Sequence, residues 1–204
     1  MESNHPRKSY YPTYDVLSNK QSWDQVTRNI IEQRMHGAEG TFFTPDQKRT
    51  LVAIAKALFP SHVGEQSVSV SIVLDRRMLE GKLSIYPKQS SISKEVIIDQ
   101  GLILADKDCL YRYHQPFFML EEQSKHELLE EWRQNDGNPE VWMPVKSDLF
   151  FSTLASELVK IVYSDPGVWS TIGFGGPAYP RGYYAYGPKQ FDSWEAKPHD
   201  ENAL

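Results

Sequence analysis

One stretch near the C-terminus, WSTIGFGGPAYPRGYYAYG (residues 169–187), constrains this chain more than any other. It carries five glycines, two prolines and six aromatic residues. Gly and Pro both disfavour the helix interior, so an irregular backbone is expected there rather than a regular helix. The rings bring too much apolar area for a solvated linker. They must pack on this chain's own helices or on another protein, and which of the two holds decides what the protein does.

The rest of the chain can supply a core for such a segment. Its 204 residues fit one domain, and 40% of them are hydrophobic. A formal charge of −5 excludes a general affinity for nucleic acid or acidic lipid. No apolar run approaches the roughly 20 residues a membrane-crossing helix needs. Cys109 is the only cysteine, which excludes an internal disulfide, a zinc cluster and a cysteine-ligated iron–sulfur centre within this chain. The N-terminal residues have no apolar run after Arg7 and Lys8 and no twin-arginine pair, so a cytoplasmic chain is expected. Export alongside a signal-bearing partner stays open.

Residues 1–21 are polar, interrupted by Pro6 and Pro12, and read as a flexible arm. Tyr10, Tyr11 and Tyr14 suggest that the arm lies on something. Ser22 with Gln25 has the form of a capping box, predicting a helix from Trp23 to about His36 with Val26, Ile30 and Ile31 on one face. Thr44, Pro45 and Gln47 give a stronger start, and Leu51, Ile54, Ala55 and Leu58 recur at helical spacing as far as Phe59–Pro60. Residues 67–74, SVSVSIVL, alternate like a strand. Val70, Val73, Leu74 and Met78 also suit a helix, and helix is chosen because no other strand is available to pair with it.

A helix over 93–113 follows, with Val96, Ile97, Leu102 and Ala105 apolar and Gly101 a weak point. Another runs over 117–134 through Phe118, Leu120, Leu128, Leu129 and Trp132. Ser147 is positioned to cap the last, lined by Phe150, Leu154, Leu158 and Val162 and stopped by Asp165–Pro166. The expectation is all-α: a single domain of about six helices over 22–166, then an aromatic Gly/Pro-rich tail over 167–204, disordered beyond about 195 without a partner.

Catalytic patterns are sparse. No GxGxxG follows a strand, and GFGG at Gly173, Gly175 and Gly176 lacks the strand–helix setting of a phosphate cradle. The six histidines form no HxH or HExxH. Glu122 and His126 are one turn apart, which fits a solvated pair better than a metal site. His114, beside Tyr113 and close to Phe117, is expected to be the partly buried histidine, with a structural role. The acidic run EEQSKHELLEEW reads first as a solvated face and second as an acidic docking surface. No catalytic or metal-binding residue is assigned.

FFTPDQKRTLVAIAKALFP, then FFSTLASELVKIVYSDP, then WSTIGFGGPAYPRGYY resembles the gluconate 2-dehydrogenase subunit 3 family over roughly residues 40–186. The first block is generic to capped helices; GGPAYPRGYY is the specific part. The resemblance implies a non-catalytic small subunit. Its partner would be a large FAD-dependent dehydrogenase subunit of the glucose–methanol–choline type, acting on a sugar or sugar acid, with a cytochrome subunit as an optional third component. FAD would sit in that partner and not in this chain. Many members of the family carry a twin-arginine signal, and this chain departs from that pattern.

Three uses of the tail are open at this point. Its rings can close the chain's own core, or stack on carbohydrate as an autonomous binding module. They can also dock on the partner through Trp169, Tyr179, Pro180, Arg181, Tyr183, Tyr184 and Tyr186. Tyr, Trp and Arg dominate interface hot spots, and proline lowers the entropy lost on docking.

Overall fold

Thr44 accepts from Gln47 N at 3.3 Å, and Gln47 Oε1 accepts from Thr44 N at 2.9 Å, closing the expected capping box. The helix it starts, α2 (Pro45–Leu58), buries Leu51, Ile54 and Ala55. The chain, in a computed structural model, is described at residues 11, 13–35, 40–60, 67–83, 92–184 and 190–197. The other helices are α1 (Gln25–Met35), α3 (Ser67–Leu79), α4 (Lys94–Tyr113), α5 (Glu122–Arg133), α6 (Ser147–Val162) and α7 (Pro166–Ile172), and α2 packs against α3, α4 and α5. Short 3-10 helices cover Val16–Ser22 and Phe117–Met119. No strand occurs among the described residues.

The ambiguous SVSVSIVL block is helical, as expected. Val70, Val73, Leu74 and Met78 fall on the buried face of α3. Helix α6 is the spine of the bundle, packing against α3, α4 and α5. Its Phe150 meets Gly101 of α4 so closely that a methyl group there would overlap the ring. Gly101 is therefore a packing device rather than a weak point. Phe150, Trp132 and Trp142 form an aromatic knot with ring centres 5.5–6.2 Å apart. Asp108, fully buried on α4, accepts from the Trp132 and Trp142 indoles at 2.9 and 2.8 Å and pairs with Arg112 Nε at 2.9 Å. Cys109 is buried in the same core, and burial pushes its thiol up.

Several boundaries differ from the sequence reading. Asp24, not Ser22, caps α1, accepting from Thr27 N at 2.7 Å. On α1 only Ile31 is buried; Val26 and Ile30 face outward. The fifth helix starts at Glu122 and not at 117, because the 3-10 turn Phe117–Met119 comes first, with Phe117 N bonded to Asp106 at 3.0 Å. The N-cap of α6 is Lys146, and Ser147 is the first helical residue. Asp165–Pro166 does stop α6, yet it also starts a seventh helix: Asp165 accepts from Gly167 N at 2.7 Å and Pro166 sits in the first turn. Trp169 to Ile172 is thus helical, against the irregular backbone expected of that stretch.

That seventh helix packs on the 3-10 turn Val16–Ser22, inside the N-terminal arm. Together they bury a second small core of Val16, Trp23, Ile31 and Trp169, with Tyr14 and Leu17 at its edge. The arm does lie on something, and that something is the tail. Tyr10 is outside the described residues.

Candidate partner-docking surface

The tail is assembled from its anchored residues outward. Helix α7 ends in a glycine-dependent motif: Gly173 has φ 72°, and Phe174 N reaches back to Trp169 O at 2.8 Å. Trp169 is only 4% exposed, and its indole donates to Tyr163 O at 2.7 Å. Val16 N donates to Ser170 Oγ at 3.1 Å, sewing the arm onto α7. Beyond α7 the GFGG glycines serve ring packing. A Cβ on Gly175 would overlap the Trp194 ring, and one on Gly176 would come within 3.0 Å of Trp23 and 3.1 Å of Val16. No space for a phosphate is left against those two glycines.

Arg181 then ties the segment down. It donates to Ser22 Oγ at 2.6 Å, to Gly175 O at 2.9 Å and to Pro177 O at 3.3 Å. Its guanidinium stacks on Trp194 at 3.7 Å. Burial holds it below the usual arginine range, against the opposing pull of Tyr14, Tyr183 and Asp192. Trp194 is itself buried, meets Tyr183 at 4.9 Å between ring centres, and accepts from Tyr14 OH at 3.0 Å through its carbonyl. The Tyr179–Pro180 peptide is cis, and Gly182 N bonds Ala178 O at 2.7 Å.

From this anchored base some rings point away. Tyr179 is 70% exposed, Tyr184 76% and Tyr183 49%; Pro180 is exposed beside them. Of the seven residues read from the sequence, Trp169 and Arg181 therefore serve this chain directly. Tyr179, Pro180 and Tyr184 face outward, Tyr183 divides between the Trp194 ring and solvent, and Tyr186 is outside the described residues. Sequence reasoning missed Ile172, Phe174 and Phe191, which are also exposed in this region. It also missed Trp194, whose position under Arg181 has no local signature.

The other candidates separate. His114 is not partly buried: it is exposed, ending α4 with φ 56°. His126 is exposed, and Glu122 bonds Lys125 at 2.8 Å instead of His126. His5, His36, His62 and His199 are outside the described residues. No group of three or more His, Cys, Asp or Glu residues able to hold a metal occurs among the described residues. On α5 the acids have local partners, with Glu130 bonded to Arg133, Glu131 to Arg112 and Glu127 to Gln123. This fits the solvated-face reading. No helix among the described residues is long and apolar enough to cross a membrane.

The fold and this surface define a class: a small all-α protein whose two ends close over each other and present aromatic side chains outward. The sequence profile named gluconate 2-dehydrogenase subunit 3 matches residues 45–176, well over half of the chain. The chain belongs to that family. The match covers α2 to α7 and stops at Gly176, so PAYPRGYY lies beyond it. No curated protein and no solved structure matches the chain.

Proposed function

We propose that this protein is a non-catalytic small subunit that stabilises or matures an FAD-carrying dehydrogenase subunit acting on a sugar or sugar acid. Membership of a family named for a dehydrogenase subunit supports the subunit role. The observation that carries the docking mode is the outward Tyr179 and Tyr184, with half-exposed Tyr183 between Trp194 and solvent, on a backbone fixed from behind by Arg181. Rings on a pre-ordered base lose little conformational entropy when they dock, so more of their buried area appears as affinity. The partner supplies the flavin and the hydride chemistry. This chain covers apolar surface that the partner would otherwise expose.

Co-expression with an FAD-carrying dehydrogenase subunit from the same genome tests the reading. The expected result is a stable complex, with the flavoprotein insoluble or inactive when expressed alone. A well-behaved monomer that leaves the flavoprotein fully soluble and active on its own rejects it. Tyr183→Ala with Tyr184→Ala should abolish co-purification while helicity stays intact. The carbohydrate-stacking alternative uses the same exposed rings, and predicts instead that a titrated sugar changes the tryptophan fluorescence of the isolated chain.

A further inference from the structure

We propose that the groove between α2 and α5 is a binding site for a small organic oxyanion, a carboxylate or phosphate carried on an apolar, planar body. The groove has a volume of about 450 Å³, within the size range of small-molecule sites. Val52 and Phe118 are among the apolar side chains that line it, and Arg49, Lys56 and Lys125 contribute three cations against the single carboxylate of Glu122. That concentration of positive charge stands in a chain whose formal charge is −5. Such a site pairs apolar contacts from Val52, Ala53 and Phe118 with a cationic rim that includes the planar guanidinium of Arg49, and an aromatic or similarly planar anion matches both.

Each cation is available in a different way. Lys125 is 8% exposed, and its ammonium has one hydrogen bond, to Glu122 Oε1 at 2.8 Å. A lysine offers three donors, and a desolvated ammonium gains most from an incoming oxyanion. Glu122 is largely exposed, so displacing it costs little. Arg49 lies over the Phe118 ring at 5.2 Å and, among the described residues, is otherwise paired only with exposed Asp46 at 3.4 Å. Lys56 is exposed and makes no ion pair among the described residues. Lys48, on the same wall, is committed elsewhere: it bonds Gly40 O at 2.8 Å and pairs with Asp75. None of these residues belongs to the aromatic tail, so this site stands or falls independently of the docking surface.

The test is a calorimetric titration of the full chain with phenyl phosphate, benzoate, inorganic phosphate and phenol. One aromatic anion should bind per chain about tenfold more tightly than inorganic phosphate or phenol, since only it engages both rim and floor. Whichever of phenyl phosphate and benzoate binds more tightly identifies the oxyanion. Affinity should fall as salt rises from about 50 to 500 mM, as for exposed charges. Arg49→Glu with Lys56→Glu should weaken binding about tenfold while the helical circular dichroism is retained. Lys56→Glu alone, at an exposed position, should weaken it about threefold. The proposal is overturned if neither aromatic anion exceeds inorganic phosphate, or if the Arg49→Glu with Lys56→Glu double charge reversal leaves the affinity unchanged.

Discussion

The guanidinium of Arg181 lies 3.7 Å from the centre of a Trp194 ring while its nitrogens bond Ser22, Gly175 and Pro177. One side chain thus joins the N-terminal arm, the exit from α7 and the C-terminal segment. Arg181→Ala removes a partly desolvated cation–π contact and several charge-assisted hydrogen bonds. A loss of about 2–3 kcal/mol is expected, confined to the second core. Hydrogen exchange should show the amides of Val16–Ser22 and α7 losing protection while α2 to α6 keep theirs. Equal loss of protection throughout would mean that the two cores unfold as one.

The bundle was legible in the sequence because its signals are local. Thr44, Pro45 and Gln47 lie within one turn, and Val70, Val73, Leu74 and Met78 repeat on one helical face. The face of α1 was not legible, since this helix packs beside the arm and tail and buries Ile31 alone. Nor was the division of the tail rings, because an irregular backbone has no period from which orientation follows. The contact between Tyr14 and Trp194 spans 180 positions, and nothing local announces it. Asp165–Pro166 carried two meanings at once, a stop for α6 and a start for α7, and only the first was read.

Gly101→Ala decides between two opposing effects. In an exposed helix the change would stabilise by about 0.5–1 kcal/mol through propensity. At Gly101 the added methyl overlaps Phe150, a ring held in the aromatic knot with Trp132 and Trp142. Overpacking costs about 1–3 kcal/mol and wins. Chemical denaturation should show a lower midpoint at unchanged slope, and Phe150→Leu should restore part of the loss by making room.

Asp106 gives a pH test. Burial raises its carboxyl above the usual range, although bonds from Phe117 N and Thr50 Oγ1 pull the other way. A raised folded-state value means that the proton favours the folded form. The stability linked to this group is therefore fully present below the unfolded-state value and is lost as pH rises through the folded one. Asp106→Asn keeps an acceptor for Phe117 N without the charge. It should melt higher than the parent at pH 7, and the difference should shrink as pH falls through the raised value. A difference that stays constant with pH would assign the effect to packing.

The carboxylate of Asp108, fully buried, accepts from two indoles at Oδ2 and forms an ion pair with Arg112 through Oδ1. Asp108→Ala leaves two buried indoles without an acceptor and takes from Arg112 its buried partner, and a loss of about 3–5 kcal/mol is expected. Asp108→Asn can keep a carbonyl oxygen facing both indoles while turning its amide toward Arg112, so it separates the two halves of the network. A loss of about 1.5–3 kcal/mol is expected there, with the near-ultraviolet dichroism of Trp132 and Trp142 retained. Should the Asn variant be as unstable as the Ala variant, the Arg112 pair carries the network and the indole bonds add little. Should it match the parent, the indoles carry it, and Arg112 belongs energetically to its solvent-facing partner Glu131.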